Sequence, residues 1–394
     1  MYKHSTQSIL ALCVFFTCLI SGCATNTVKV KDSEEIESET AQLQESNLLD
    51  VGILVFDKGE LTEKQIEEEG AHEDIRKAEA RYIAYHLKET MQRANGWGAI
   101  RVLPTESQIA DVIVHGTIIS SNGEELVLKI NVVDSMGSSW LEKSYSTSAD
   151  QESYDYARPG RDVYQHVYNR IANDIYKYRK NLTDENVIAI RNTSELRYAA
   201  GLSPEPFAGY ISTGPEGQTA ITRLPANDDP MLNRVRKVRE REFLFIDTIN
   251  EHYSNFYYQM WDPYENWRKY YLIESDQKRS VQRRANTTKF AAALIMVAGL
   301  LRGPGLFATG ALLYRDGVRI SNEAEIHNEA IRELGDSLQA EVSPMVVEIQ
   351  GRTVELTGSI EEQYMKWREL LREIYINETG FAFEDEAVDN TTEL

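Results

Sequence analysis

All three cysteines of this 394-residue chain, Cys13, Cys18 and Cys23, fall within its first 23 residues. Beyond Cys23 no disulfide, free thiol or thiolate metal site is available, so the remaining chain must be held together by packing. The same stretch begins with a short polar leader, Lys3 and His4, followed by a 12-residue segment, Ile9 to Ile20, dominated by apolar side chains. Crossing a bilayer takes about 20 apolar residues, so this segment reads as a signal peptide and not as a membrane span.

The run Ile20-Ser21-Gly22-Cys23 that follows resembles the lipobox of bacterial lipoproteins. The resemblance implies removal of residues 1–22 and a lipid on Cys23 as the first mature residue. Residue 24 is Ala, whereas Asp at that place is the usual inner-membrane retention signal in enteric bacteria. Sorting to the outer membrane, facing the periplasm, is therefore expected. The 372 residues that would remain suffice for two or three domains.

A net charge of -20 argues against nucleic acid as a partner, because such binding depends on neutralising phosphates with Lys and Arg. Acid is concentrated between residues 31 and 48, with Asp32, Glu34, Glu35, Glu37 and Glu39 and few large apolar groups. Residues 23–49 are thus expected to be a lipidated cysteine on a disordered tether, spanning roughly 28 Å as a coil and at most about 90 Å extended. A second acidic tail occupies residues 384–394.

Residues 50–180 alternate between strand and helix signals. Leu49 to Phe56 suits a buried strand, and Ala80, Ile83, Leu87 and Met91 mark one face of a helix that stops at Asn95-Gly96. Strands are expected near 100–103 and 110–116. Asn122-Gly123 then predicts a hairpin turn, since the pair tolerates positive φ. Leu126, Leu128, Ile130 and Val132 alternate as one face of an antiparallel strand, and another strand follows at 140–145. A helix over 162–180, with Val163, Val167, Ile171, Ile175 and Tyr178 inward, closes the unit. This order, with Ala110-Asp111-Val112-Ile113-Val114-His115-Gly116 and the strands after it, resembles the small α/β domain of the TolB N-terminal region and of the CsgG and LpoB outer-membrane lipoproteins. The resemblance implies envelope assembly, oligomer formation or activation of a partner, and no catalysis.

Residues 181–230, with Pro204, Pro206, Pro215, Pro225 and Pro230, read as a linker or surface loop. From 231 to 320 the chain reads as helical. Val235, Val238, Phe245 and Ile249 share a seam interrupted by Glu242. Tyr257, Trp261, Tyr264 and Trp267 belong to a dense aromatic stretch that either stacks on a glycan, forms an interface, or is simply a helix seam, with Pro263 marking a kink or a restart.

Residues 290–314 are apolar except for Arg302 and are broken at Gly303-Pro304-Gly305. Their length would reach across a bilayer, but a turn signal and an arginine near the centre favour two half-length helices. Phe290, Leu294, Ile295, Leu300, Leu306, Phe307 and Leu312 would then either dip into one leaflet or pack in a core or between copies. In the membrane case Arg283, Arg284, Lys289 and Arg315 would meet phospholipid headgroups.

Residues 321–383 predict helix, strand, strand, helix. Ser359 and Glu362 form a capping box for the last helix, whose inner face is Tyr364, Trp367, Leu371 and Ile374. The order, with Gly351-Arg352-Thr353-Val354-Glu355-Leu356-Thr357-Gly358, loosely resembles a BON domain, a periplasmic module associated with phospholipid surfaces. No HExxH, Walker or GxSxG motif occurs, and the histidines lack metal-ligand spacing. The expectation is an α+β lipoprotein without catalytic residues, metal or cofactor. It would be bound to the membrane through its lipid, with protein partners in an envelope complex and homo-oligomerisation compatible with the sequence. A ring or pore for export, or a glycan binder, are the competing readings.

Overall fold

The computed structural model describes residues 27–31, 34–39, 43–67, 73–156, 160–215, 217–226, 228–302, 345–349, 352–356 and 359–379. The chain is α+β. In order, the elements are β1 (Thr27–Lys29), β2 (Val51–Leu54), α1 (Glu63–Glu67), α2 (Glu73–Gln92), β3 (Ile100–Leu103), β4 (Val112–Ser121), β5 (Glu125–Asp134) and β6 (Ser139–Ser148). Then come α3 (Gln151–Asp155), α4 (Gln165–Lys180), α5 (Asp184–Leu202), α6 (Pro204–Phe207), β7 (Ile211–Thr213) and β8 (Thr219–Ile221). The long helix α7 (Pro230–Arg302), the hairpin β9 (Met345–Ile349) and β10 (Arg352–Leu356), and α8 (Ile360–Thr379) complete the described chain.

Six strands form one mixed sheet in the order β1-β6-β5-β4-β2-β3. β2 is parallel to both β3 and β4, whereas β4, β5 and β6 form an antiparallel meander. The period-2 pattern of β5 sets the register. Leu126, Leu128, Ile130 and Val132 are buried under α2 and α4, while Val127, Lys129, Asn131 and Val133 stand half-exposed on the other face.

The β4–β5 hairpin sits where Asn122-Gly123 predicts it, for a different reason. The Asn122 side chain accepts from the Glu124 and Glu125 amides, and neither turn residue takes positive φ. Gly123 is required by proximity instead. A Cβ there would collide with the carbonyl oxygen of Arg268 and lie 3.0 Å from the Leu272 amide, both in the backbone of α7.

Two expectations are corrected outside the sheet. Residues 184–202, assigned to a linker, are helix α5, started by a Thr183–Asn186 capping box and seated on the body through Val187, Ile190, Leu196 and Ala199. The helix is hard to read because its apolar residues do not line up as one strong stripe. Residues 27–39, expected to be disordered tether, add β1 to the free edge of β6 in parallel, with Val28 opposite Tyr145.

Helix α7 begins as Pro at the first turn and an Asp cap demand: Asp229 accepts from the Met231 and Leu232 amides. It runs through Pro263 with no restart. Its 73 residues correspond to roughly 110 Å. The capping box of α8 is formed as predicted, with Glu362 N to Ser359 Oγ at 3.2 Å and the reciprocal bond at 2.9 Å. α8 packs on α7 through Phe245 stacked on Trp367, centroids 4.7 Å apart. One hydrophobic core therefore joins the sheet, α7 and α8. β9 and β10 pair antiparallel, as expected. The helix expected around 327–338 lies outside the described residues.

Candidate functional site

The middle of α7 is fastened to the body by a buried polar and aromatic network. Tyr253, Tyr257, Met260, Tyr264, Trp267 and Tyr271 recur at helical spacing and are all buried. Tyr82 of α2 lies between two of them, its ring centroid 4.9 Å from Tyr257 and 4.8 Å from Tyr264. Trp261 is half-buried at the rim. A glycan platform made of these rings is thus overturned. Tyr257, Tyr264 and Trp267 form an interface, but an internal one, because the same 3/4 spacing that gathers them turns them toward α2 and α4.

Arg268 and Asp162 close this network. Arg268 Nη2 donates to Asp162 Oδ2 at 2.8 Å, with the side chains 2% and 0% exposed. The guanidinium also lies over the Tyr264 ring, 4.4 Å from its centroid. Burial alone would raise the Asp162 carboxyl, but Arg268, His86 and the Tyr164 amide together hold it down at about 2. Beside the pair, Glu79 accepts from Ser121 Oγ and from Tyr264 OH, both at 2.6 Å.

His86 is wholly buried, and its neighbours fix its tautomer. Gln165 Nε2 donates to Thr90 Oγ1 and Asn169 Oδ1, each at 3.0 Å, which leaves Gln165 Oε1 to accept from His86 Nε2, also at 3.0 Å. His86 Nδ1 then accepts from Tyr257 OH at 2.8 Å. Burial pushes the imidazole down to about 4, so it is neutral at ordinary pH.

A second clasp lies nearer the start of α7. Glu242 is 2% exposed and accepts from Tyr198 OH of α5 at 2.7 Å and Tyr364 OH of α8 at 2.5 Å. Burial raises both phenols, with the Glu242 charge adding to it, so they stay protonated donors. Sequence reading noted Glu242 only as an interruption of an apolar seam. That interruption was the available signal, since a carboxylate on a buried stripe needs donors from the elements facing it. Arg268 and Asp162 carried no comparable signal.

The N-terminal segment is bound along β6 and α4. Val30 N donates to Ser146 O at 2.9 Å. Asn169 Nδ2 and Asn173 Nδ2 donate to the carbonyls of Glu34 and Glu35, both at 2.7 Å. Glu34 pairs with Arg170 at 3.3 Å and Glu37 with Lys177 at 3.2 Å, and Glu39 accepts from Tyr176 OH at 2.6 Å. Acid that suggests disorder in isolation is matched here by the amide and basic face of α4.

The far end of α7 continues beyond the Asn122-Gly123 turn, with Ser275, Lys278 and Ala285 still buried. Over its middle the helix follows the strand direction. Asp247 pairs with Arg101 near one end of the sheet and Tyr264 meets Ser121 at the other. The 17 helical residues between them cover about 26 Å, matching about 8 residues of strand. Past Leu272 another 30 residues, about 45 Å, continue to Arg302. Arg279 still reaches back to Glu124. Beside this stretch lies a cleft of about 710 Å³ lined by Glu125, Asp150, Tyr271, Ser275, Arg279 and Gln282 among others.

Of the residues expected to meet headgroups, Arg283 and Arg284 are exposed on this part of α7 and Lys289 is on it as well. Phe290, Leu294, Ile295 and Leu300 lie in its last turns. Leu306, Phe307, Leu312, Arg315, the Gly-Pro-Gly turn and Cys23 lie outside the described residues. Among the described residues, no helix is long and apolar enough to cross a membrane and no group of His, Cys, Asp or Glu has the arrangement to hold a metal. No protein-family model, curated protein or solved structure matches the chain.

Proposed function

We propose that the chain is a non-enzymatic scaffold or assembly factor of a bacterial cell envelope, held at the outer membrane by a lipid on Cys23 and facing the periplasm. The observation that carries this reading is α7. One continuous helix of 73 residues is core along most of its length and runs on past the sheet, with Arg283 and Arg284 exposed and an apolar sequence at its end. That shape suits holding a partner at a fixed distance from a folded body. The reading also draws on the resemblance of residues 50–180 to envelope-lipoprotein domains.

Metabolic labelling with palmitate, followed by membrane fractionation, tests the anchor. The native chain should take up label and sediment with outer membranes, and Cys23→Ala should do neither. An unlabelled native chain would remove the anchor from the reading. Photocrosslinkers at positions 283 and 284 should then capture an envelope partner.

The apolar end also favours a second reading, in which copies gather through the ends of their α7 helices into a ring that serves export. Light scattering in mild detergent separates the two. A large closed assembly that falls to monomer on deletion of 290–314 favours the ring, and a monomer or dimer in both cases favours the scaffold.

A further inference from the structure

We propose that residues 27–39 are a detachable arm, and that undocking it from β6 and α4 switches the body from lying against the membrane to standing off from it. The distance consequence rests on lipidation of Cys23, while the detachment itself does not.

The docked state leaves little slack. Three residues separate Cys23 from Thr27, so the anchored cysteine can be no more than about 14 Å from the edge of the sheet. Among the described residues the next attachment along the chain is at 45–48, where Arg179 donates to the Asn47 carbonyl and Arg191 to the carbonyls of Glu45 and Leu48. With the arm released, the 22 residues from Cys23 to Gln44 span roughly 25 Å as a coil and up to about 70 Å extended.

Three features make the arm the part that yields. β1 pairs for only three residues, in parallel, at a sheet edge. Among its described residues Val30 is the one buried side chain, with Ile36 half-buried, whereas Leu49 just beyond is fully buried and belongs to the core. Its remaining contacts are polar, most of them part-buried hydrogen bonds to α4. The Glu37–Lys177 pair is 44% and 48% exposed, the kind of contact that salt screens. Segments held by few buried apolar contacts open more often than the structure as a whole.

Amide hydrogen exchange on the purified full chain reads the arm directly and needs no lipid. Amides of residues 28–39 should exchange at least tenfold faster than those of β2, and faster again in 0.5 M salt. Glu34→Lys with Glu37→Lys, which leaves the body untouched, should accelerate them several-fold more with β2 unchanged. Restoring complementarity with Lys177→Glu should reverse part of that gain. Arm amides as protected as β2, and indifferent to salt and to charge reversal, would make the segment an integral strand and overturn the proposal. Fluorescence transfer from a dye on Arg284→Cys to labelled vesicles carrying the lipidated protein then tests the distance. Transfer that changes with salt supports the switch, and salt-independent transfer despite rapid arm exchange overturns the stand-off.

Discussion

Asp162 and Arg268 meet at 2.8 Å with almost no contact with water, one from the chain leading into α4 and the other from α7. An isolated charge at either position would be left without its counterion in a low-dielectric interior. Arg268→Met or Asp162→Asn should each lower stability by about 3–5 kcal/mol, while the paired replacement Arg268→Met with Asp162→Leu should lose less than either alone. Urea unfolding of the three variants measures this, and additive losses would show that the two groups act independently.

Acid should weaken the same joint in two separate steps. Between pH 6.5 and about 4 the unfolded chain binds a proton at His86 that the folded chain refuses, so stability falls as pH falls, by about 3 kcal/mol over that window. Asp162 acts lower down. Its carboxyl is depressed to about 2, so its contribution is present above the unfolded value of about 3.9 and is lost as pH drops through 2. Thermal unfolding from pH 7 to 4 should therefore flatten in His86→Gln relative to the native chain.

Gly123→Ala probes the closest approach between the hairpin and α7. The new methyl meets backbone and not a side chain that can rotate away, so the helix or the turn must shift. A loss of about 1–3 kcal/mol is expected, together with faster proteolysis between residues 265 and 285. Unchanged stability would mean that the two backbones stand further apart than described.

Removing Glu242 should loosen α8 more than α7. Glu242→Ala strands the hydroxyls of Tyr198 and Tyr364, and leaving buried hydroxyls unsatisfied costs about 1–3 kcal/mol each. Glu242→Gln keeps an acceptor and should recover part of the loss. Hydrogen exchange across residues 360–379 distinguishes local release of α8 from global destabilisation.

The strands and their hairpin were legible because period-2 patterning and Asn122-Gly123 are local signals, as were the Ser359–Glu362 cap and the aromatic seam of α7. β1 was not, since a three-residue strand owes its existence to the free edge of β6 beside it. The same holds for the Arg268–Asp162 pair, whose partners are 106 residues apart and whose meaning is purely tertiary. α5 escaped notice because its apolar residues answer to several neighbours at once and trace no single stripe. The candidate site was read least well. The aromatic spacing left a glycan platform, an interface and a helix seam open together, and the charged groups that fasten α7 to the body are ordinary residues with no motif around them.

The continuity of α7 has a mechanical corollary. A helix joined to the core by a loop would simply swivel under load, whereas here the turns beyond Leu272 and the turns that form the core are one hydrogen-bonded column. Tension or torque applied beyond Leu272 is delivered to the stretch bearing Arg268, Tyr264 and Tyr257, where it acts in shear across several contacts at once. A pull on the end of this helix would therefore be met as strain inside the interior and not as rotation about a hinge.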